Sequence, residues 1–357
     1  MTSPSASRRA NIIGSGLMGG SIGLALRVQG WHVSGTDVEE RRALRAVALG
    51  AFDTVGVDSE AEITFVAVPV RAVADAAKVA LAQTTGLVTD VGSVKASVVA
   101  AVADDRFIGG HPMAGSEQEG VDGADATIFT GAVWVLTPTA ATGDDAFTAV
   151  RAIVSSLGAD VVALAPDRHD ALVAVVSHVP HLTAATLMAL AGERAEEHRA
   201  VLRLAAGGFR DMTRIAAGHP GIWPDICAEN APAILDTLDR LIAGLQGMRA
   251  VVAEEDRAGL LGLLEQAREA RVNLPGRSQL PAELSEVRIP VPDRPGVIAE
   301  VATLATELDV NLFDVEVAHS AEGDSGVLIV VVASALVERL QAALVARGYR
   351  PSTRALG

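Results

Sequence analysis

Two hydrophobic periodicities alternate along the first part of this 357-residue chain and then separate. Near-continuous apolar runs, rich in β-branched residues, occur at 10–13, 32–36, 63–68, 87–89, 106–108, 132–136 and 160–163. Strands buried on both faces have this pattern. Segments with apolar positions at helical spacing lie between most of them, at 71–82, 95–103 and 144–157. The alternation predicts a parallel sheet covered by helices on both faces. From 166 the strand pattern stops, and helices are expected at 167–191, 193–204, 208–215, 223–247 and 250–271. A helical block of that size makes a bundle or supplies a subunit interface. "NLPGRSQLPAEL" then breaks the pattern with two prolines and a glycine. Beyond it the order strand, helix, strand, strand, helix, strand predicts a small ferredoxin-like βαββαβ sandwich. The expected organisation is an α/β domain over 8–165, an all-helical domain over 166–272, a linker over 273–284 and a βαββαβ domain over 285–357.

Composition narrows the class. Half the residues are hydrophobic and only 3% aromatic, so Ala, Val and Leu carry the packing. A formal net charge of −15 argues against nucleic acid, which binds a basic face. Cys227 is the single cysteine, so no intrachain disulfide can form and a reducing cytoplasm is suitable. Arg8 and Arg9 ahead of an apolar run imitate a signal sequence, but five glycines make that run a poor signal helix. The run 171–190 is long enough to cross a bilayer. Ser177, His178, Pro180 and His181 in its middle, with Asp167, Arg168 and Asp170 leading in, favour a buried, kinked helix. A soluble cytoplasmic protein is expected, with no nucleic-acid or membrane partner.

The first strand runs into "NIIGSGLMGGS", where Gly14, Gly16 and Gly19 hold G-x-G-x-x-G spacing between a strand and a helix. Gly14 permits the tight turn, Gly16 admits a pyrophosphate, and Gly19 lets helix and strand pack closely. The second strand ends at Asp37, eighteen residues beyond Gly19, where a carboxylate bonds ribose hydroxyls and repels a 2′-phosphate. A Rossmann-like domain binding NAD in preference to NADP follows, with Arg41 and Arg42 close by. The expected cofactor contacts are Gly14, Ser15, Gly16, Leu17, Met18, Gly19, Asp37, Val68 and Ser93.

Two further motifs fall at C-terminal strand ends, where open α/β sheets bind ligands: "TDVGSVK" with Ser93 and "GGHPMAGSEQEG" with His111. Ser93 could equally cap the helix that follows, and His111 could be an ordinary loop histidine. "VVSHVPH" sets His178 and His181 three residues apart in an apolar run. They could be metal ligands, core histidines or pocket residues. Two histidines are too few for a structural zinc site, and the only cysteine has no partner.

Taken in order, "GSGLMGGSIG", "DVGSVK", "HPMAGSE", "VVSHVPH" and "GGFRDMTRIA" resemble the prephenate/arogenate dehydrogenase family of tyrosine biosynthesis over residues 10–270. The tail, through "PDRPGVIAEVATLATELDVNLFDVEV", resembles an ACT domain, a small amino-acid-sensing module. The resemblance implies an oxidoreductase acting on a CH–CH type donor, NAD-dependent and decarboxylating, with prephenate (or arogenate) as substrate. His111 would be the base at the ring hydroxyl, with Ser93 orienting it. Arg214 would hold the ring carboxylate, His181 the side chain, and His178 would support the pocket. Glu117 would gate the entrance, and Trp223 would reach a neighbour's active site in a homodimer. Arg210 stands where many prephenate-using relatives are expected to carry lysine, and its fork binds a carboxylate differently. No metal is implied. In the tail, Asp293, Arg294, Pro295, Gly296 and Asn311 would hold an aromatic amino acid, tyrosine foremost. Two other classes compete: a non-catalytic NAD-binding amino-acid sensor, and a β-hydroxyacid dehydrogenase. The second needs a catalytic lysine, and residues 166–272 contain none.

Overall fold

The apolar runs of the first 164 residues assemble into one eight-stranded sheet. Its strands are β1 (Arg9–Ile13), β2 (His32–Thr36), β3 (Thr54–Val55), β4 (Ile63–Val66), β5 (Leu87–Asp90), β6 (Phe107–Pro112), β7 (Val133–Thr137) and β8 (Asp160–Ala163). Their spatial order is β3-β2-β1-β4-β5-β6-β7-β8. The computed structural model describes residues 7–116, 118–197, 204–273, 284–292, 294–319 and 325–356. The chain reverses its direction of winding between β1 and β4, which opens the ligand crevice of a doubly wound sheet.

Strands β1 to β6 pair in parallel, as the sequence predicts, but β7 pairs antiparallel with β6. Parallel strands need a long crossover, and among the described residues no α-helix joins these two. The connection includes a short 3₁₀ turn at Val121–Gly123, which lies over the first helix. The two-residue β3 was missed because so short a run leaves no period to detect.

Side chains alternate across the sheet, so Phe65 enters one core and its neighbour Val66 the other. The first core joins Ile12, Phe65 and Trp134 to α1 (Leu17–Val28), and Ala46 brings in α2 (Glu40–Ala48). The second joins Val66 and Val88 to α3 (Val70–Gln83) and α4 (Ala96–Ala101). Helix α5 (Asp144–Ser156) returns to the first face through Val150, Ile153 and Val154.

The helical region begins as α6 (Pro166–Val173), passes through a π-helical turn at Ala174–His178, and continues as α7 (Val179–Glu197). The long helix expected at 167–191 is therefore interrupted. Pro180 has no N–H to donate, and the wide π turn accommodates the break just ahead of it. By length and composition Pro166–Glu193 is apolar enough to span a membrane. Its His169, Asp170 and His178 are nevertheless buried against neighbouring elements of the fold.

By its internal contacts the chain forms two compact units, Met1–Glu255 and Asp256–Gly357. Ile226 and Trp223 share the second core with α3 and α4, which ties the first helices to the sheet. Residues 274–283 of the expected linker lie outside the described residues.

The second unit holds the helix Arg257–Val272 and a four-stranded antiparallel sheet. Its strands are β9 (Leu284–Pro292), β10 (Asp314–His319), β11 (Ser325–Ala333) and β12 (Ser352–Leu356), ordered β10-β11-β9-β12. With helices Val297–Glu307 and Val337–Ala346 this is the expected βαββαβ arrangement. Val287, Ile289 and Val291 alternate into a core with Leu304, Leu328, Val330 and Leu340. Gly296, at φ 92°, caps the first helix in a left-handed conformation that favours glycine. Arg294 pairs with Glu300 at 2.9 Å, while Pro295 and Asn311 are exposed. Asp293 lies outside the described residues.

Candidate active site

The glycine-rich turn has the geometry its spacing implies. Gly14 sits at φ 98°, and a Cβ there would lie 2.2 Å from the Ala67 carbonyl oxygen. At Gly19 a Cβ would come within 1.9 Å of the Gly14 carbonyl oxygen, so helix and strand touch. At Gly16 nothing lies within 4 Å, and the backbone there is open to a ligand. Leu17 and Met18 form the first turn of α1, whose leading N–H groups carry no side-chain cap and face that opening. Val68 packs against Gly14. Asp37 accepts from the Ser15 N–H at 2.8 Å, the Ser15 hydroxyl at 2.9 Å and the Glu39 N–H at 3.0 Å. Burial alone would raise its carboxyl, but these hydrogen bonds and the Arg42 charge outweigh it and hold Asp37 below the usual range. Arg41 and Arg42 both pair with Glu39. An uncovered phosphate cradle with an ionised acid at the second strand fits a dinucleotide with a free ribose 2′-hydroxyl.

Next to this cradle, the ends of β5 and β6 are strapped together by a buried ion pair. Asp90 accepts the Lys95 ammonium, the Gly92 N–H at 2.8 Å and the Gly110 N–H at 3.1 Å. The ammonium also donates to the Gly110 carbonyl at 2.8 Å. Both side chains are fully buried, and burial pulls the lysine down against the opposing pull of Asp90 and Asp170. Such a pair adds little net stability because desolvating two ions is costly, but it fixes geometry. Here it fixes the loop bearing Ser93 and the residue preceding His111. Ser93 is half-buried and does not cap α4: the cap position is Lys95.

The N–H groups of Lys95 and Ala96 instead reach across the sequence to Asp170, each at 2.8 Å. Asp170 also accepts from His169 Nδ1 at 2.7 Å, and His169 Nε2 meets His111 Nδ1 at 2.8 Å. The two rings are edge to face, 5.0 Å apart. Burial, then the charges of His169, Lys95 and His178, hold His111 well below its ordinary pKa of 6.5. The imidazole is therefore neutral and able to accept a proton near pH 7.

His178 lies in the same cluster. Asn230 Nδ2 donates to the Asp170 carbonyl at 2.9 Å and meets His178 Nδ1 at 3.2 Å. Burial lowers His178 to about 4, despite the Asp170 charge. Its Nε2 is buried with no hydrogen-bond partner among the described residues. His181, half-buried, stacks on Trp223 at 3.6 Å, and Trp223 presents its edge to His178 at 6.2 Å. The Trp223 ring thus packs on both histidines of its own chain. Arg214 opens the 3₁₀ turn Arg214–Ala217, which packs against α7, and is itself exposed. Arg210 is exposed and donates to the Ala205 carbonyl at 3.1 Å. Glu117 lies outside the described residues. Among the described residues, no group of three or more His, Cys, Asp or Glu side chains is placed to hold a metal.

Residues 22–163 match the nucleotide-binding domain of prephenate dehydrogenase and residues 165–266 its dimerization domain. The chain belongs to the prephenate dehydrogenase family. A prephenate dehydrogenase of Bacillus subtilis is 33% identical over 336 residues, covering 89% of this chain and 90% of that one. A cyclohexadienyl dehydrogenase of Zymomonas mobilis is 34% identical over 277 residues, covering 74% and 94% respectively. The prephenate dehydrogenase of A. aeolicus, solved with hydroxyphenyl propionate and NAD+, superposes with a TM-score of 0.71. It is 28% identical, over 76% of this chain and 100% of that one. The chain is therefore an NAD-dependent oxidoreductase, with the Rossmann-like sheet as its cofactor domain.

Sequence reasoning missed His169, Asp170, Lys95, Asp90 and Asn230 as parts of the site. "DRHD" carried one usable signal: charged and imidazole side chains at the start of a run too apolar to expose them.

The low His178 pKa has a stability consequence. Its folded value, about 4, lies below the ordinary 6.5, so between those values the unfolded chain binds the proton and the folded chain refuses it. Stability is full above pH 6.5 and falls as pH drops toward 4, with His111 adding in the same direction. Calorimetry across this range should show the thermal midpoint falling, and a shallower fall in His178→Gln. Identical slopes would remove the assignment.

Proposed function

We propose that the chain oxidatively decarboxylates prephenate to 4-hydroxyphenylpyruvate, as a cytoplasmic enzyme of tyrosine formation. The observation that carries this reading is the neutral, buried imidazole of His111 at the C-terminal end of β6. The hydroxyphenyl propionate bound to the A. aeolicus relative has the outline of such a product. NAD, when bound, supplies the hydride acceptor. His111 takes the proton of the ring hydroxyl, and Ser93 hydrogen-bonds that hydroxyl. Arg214 opposes the ring carboxylate, which departs as carbon dioxide, and Arg210 and His181 face the pyruvyl end. The unpaired Nε2 of His178 suits a substrate oxygen. In the test, purified enzyme receives prephenate or arogenate with NAD, and NADH formation is followed. Turnover of prephenate supports the reading, and turnover of arogenate alone overturns the substrate. His111→Asn should lower kcat by ~10²-fold or more with a smaller effect on KM. Arg214→Ala should weaken substrate binding by ~2–4 kcal/mol and leave NAD binding intact.

The working unit is a homodimer joined along the helix Ala231–Ala253. Leu235, Ile242, Leu245 and Val252 are 58%, 49%, 59% and 59% exposed on that helix. Their spacing of seven, three and seven residues forms one coiled-coil-like stripe, a surface a lone subunit rarely leaves to water. Ile242→Glu with Leu245→Glu should sediment as a monomer, and an unchanged dimer would move the interface elsewhere.

The βαββαβ unit acts as an ACT-type sensor of tyrosine that lowers activity. The ligand carboxylate sits at the helix beginning at Val297, beside Arg294, Pro295 and Gly296, and Asn311 takes its amino group. Tyrosine, phenylalanine and tryptophan should be titrated against the full chain and against Gly296→Val, which is strained at φ 92°. Inhibition by tyrosine, blunted in the variant, is expected. If none of the three alters rate or thermal midpoint, the unit serves assembly instead.

A further inference from the structure

We propose that His169 and Asp170 are positioning residues that hold His111 in the tautomer with a bare Nε2, the form able to take a proton from the substrate. The inference rests on the reading of His111 as the proton acceptor. An ionised carboxylate only accepts hydrogen bonds, so the hydrogen between Asp170 Oδ1 and His169 Nδ1, 2.7 Å apart, belongs to His169. One hydrogen also lies between His169 Nε2 and His111 Nδ1 at 2.8 Å, because two bare nitrogens would repel and two N–H groups would clash. A neutral His169 carries one hydrogen, already given to Asp170, so its Nε2 is an acceptor. The hydrogen is therefore on His111 Nδ1, and its Nε2 is left bare.

Asp170 cannot turn away from this task. Its Oδ1 also accepts the Lys95 N–H and its Oδ2 the Ala96 N–H, each at 2.8 Å. Both oxygens are thus pinned by backbone donors of another element. His169 is fully buried, so water does not compete for its ring nitrogens. When the substrate hydroxyl gives up its proton, an O–H bond breaks and an N–H bond forms at His111 Nε2. The Nδ1–H then points, through His169, at a carboxylate that favours the positive ring.

Two kinds of measurement decide the matter. In the full chain labelled with ¹⁵N-histidine and free of substrate, His111, assigned by its loss in His111→Asn, should show a protonated Nδ1 and a bare Nε2. Asp170→Asn should loosen the pattern. His169 and the Lys95 N–H share Oδ1 while the Ala96 N–H takes Oδ2, so the amide NH₂ must face either His169 or an α4 N–H, and the single tautomer of His111 should give way to a mixture. That variant should lose ~10²-fold or more in kcat, with KM and NAD affinity within about threefold. His169→Gln retains an acceptor for the His111 N–H and should keep kcat within about tenfold of wild type, whereas His169→Leu should fall as far as Asp170→Asn. A bond that served only to cap α4 would lower the thermal midpoint without moving the tautomer. A protonated Nε2 in the resting wild type, or near-normal kcat in a folded His169→Leu, overturns the proposal. Should the wild type turn over neither prephenate nor arogenate, the functional reading fails, and the ¹⁵N pattern of the resting protein still decides the tautomer.

Discussion

Asp170 is the joint on which the site depends. It belongs to the helical region, yet its carboxylate receives the first N–H groups of α4, a helix of the sheet domain. The same side chain orients His169, and its backbone carbonyl receives Asn230. One residue thus sets the relation between the sheet end carrying His111 and the helices carrying His178 and Trp223. Burying an ionised carboxylate is costly unless its oxygens are satisfied, and three N–H donors satisfy this one. Removing it would strip those donors together, so the position couples folding of the helical region to geometry at the reacting centre.

A second constraint works beneath the first. Lys95 and Asp90 are fully buried, where an unpaired ion is intolerable, so the two must meet. Their meeting aligns Gly92 and Gly110 and hence the Ser93 loop with the end of β6. The glycines complete the frame: a Cβ at Gly110 would lie 2.6 Å from the Asp90 carbonyl oxygen, so the two strand ends approach as closely as backbones can. Small residues admit the close packing, and the ion pair locks it.

Much of this was legible in the sequence, for definable reasons. The nucleotide turn is local: its glycines, strand and helix are contiguous, so spacing alone predicts Gly14 in a tight turn and Gly16 open to a ligand. The βαββαβ order was legible because each element carries its own period. The Asp170 junction was not, because it joins positions more than seventy residues apart through hydrogen bonds that no periodicity encodes. The reversal of β7 escaped for a related reason: strand direction depends on whether a crossover helix exists, and residues 113–132 are polar and glycine-rich without announcing a return. Pro180 signalled a break in the long helix, but the π turn ahead of it is a response of packing, invisible until neighbouring side chains are in place.

The distribution of charge explains why the proposed base lies deep and the proposed cations shallow. His111 and His178 are buried, and each is neutral because burial penalises its charged form. A dianionic substrate gains nothing electrostatic from neutral rings, so its carboxylates must be met elsewhere. Arg210 and Arg214 lie at exposed positions on the short helical segments packed against α7, and Arg210 donates to the Ala205 carbonyl. A cation placed beside His111 would repel the proton that the imidazole has to accept, and Lys95 is tolerated there because Asp90 neutralises it. In the proposed reaction, exposed guanidinium groups meet the carboxylates and a buried neutral ring takes the proton, so the two functions are separated by depth.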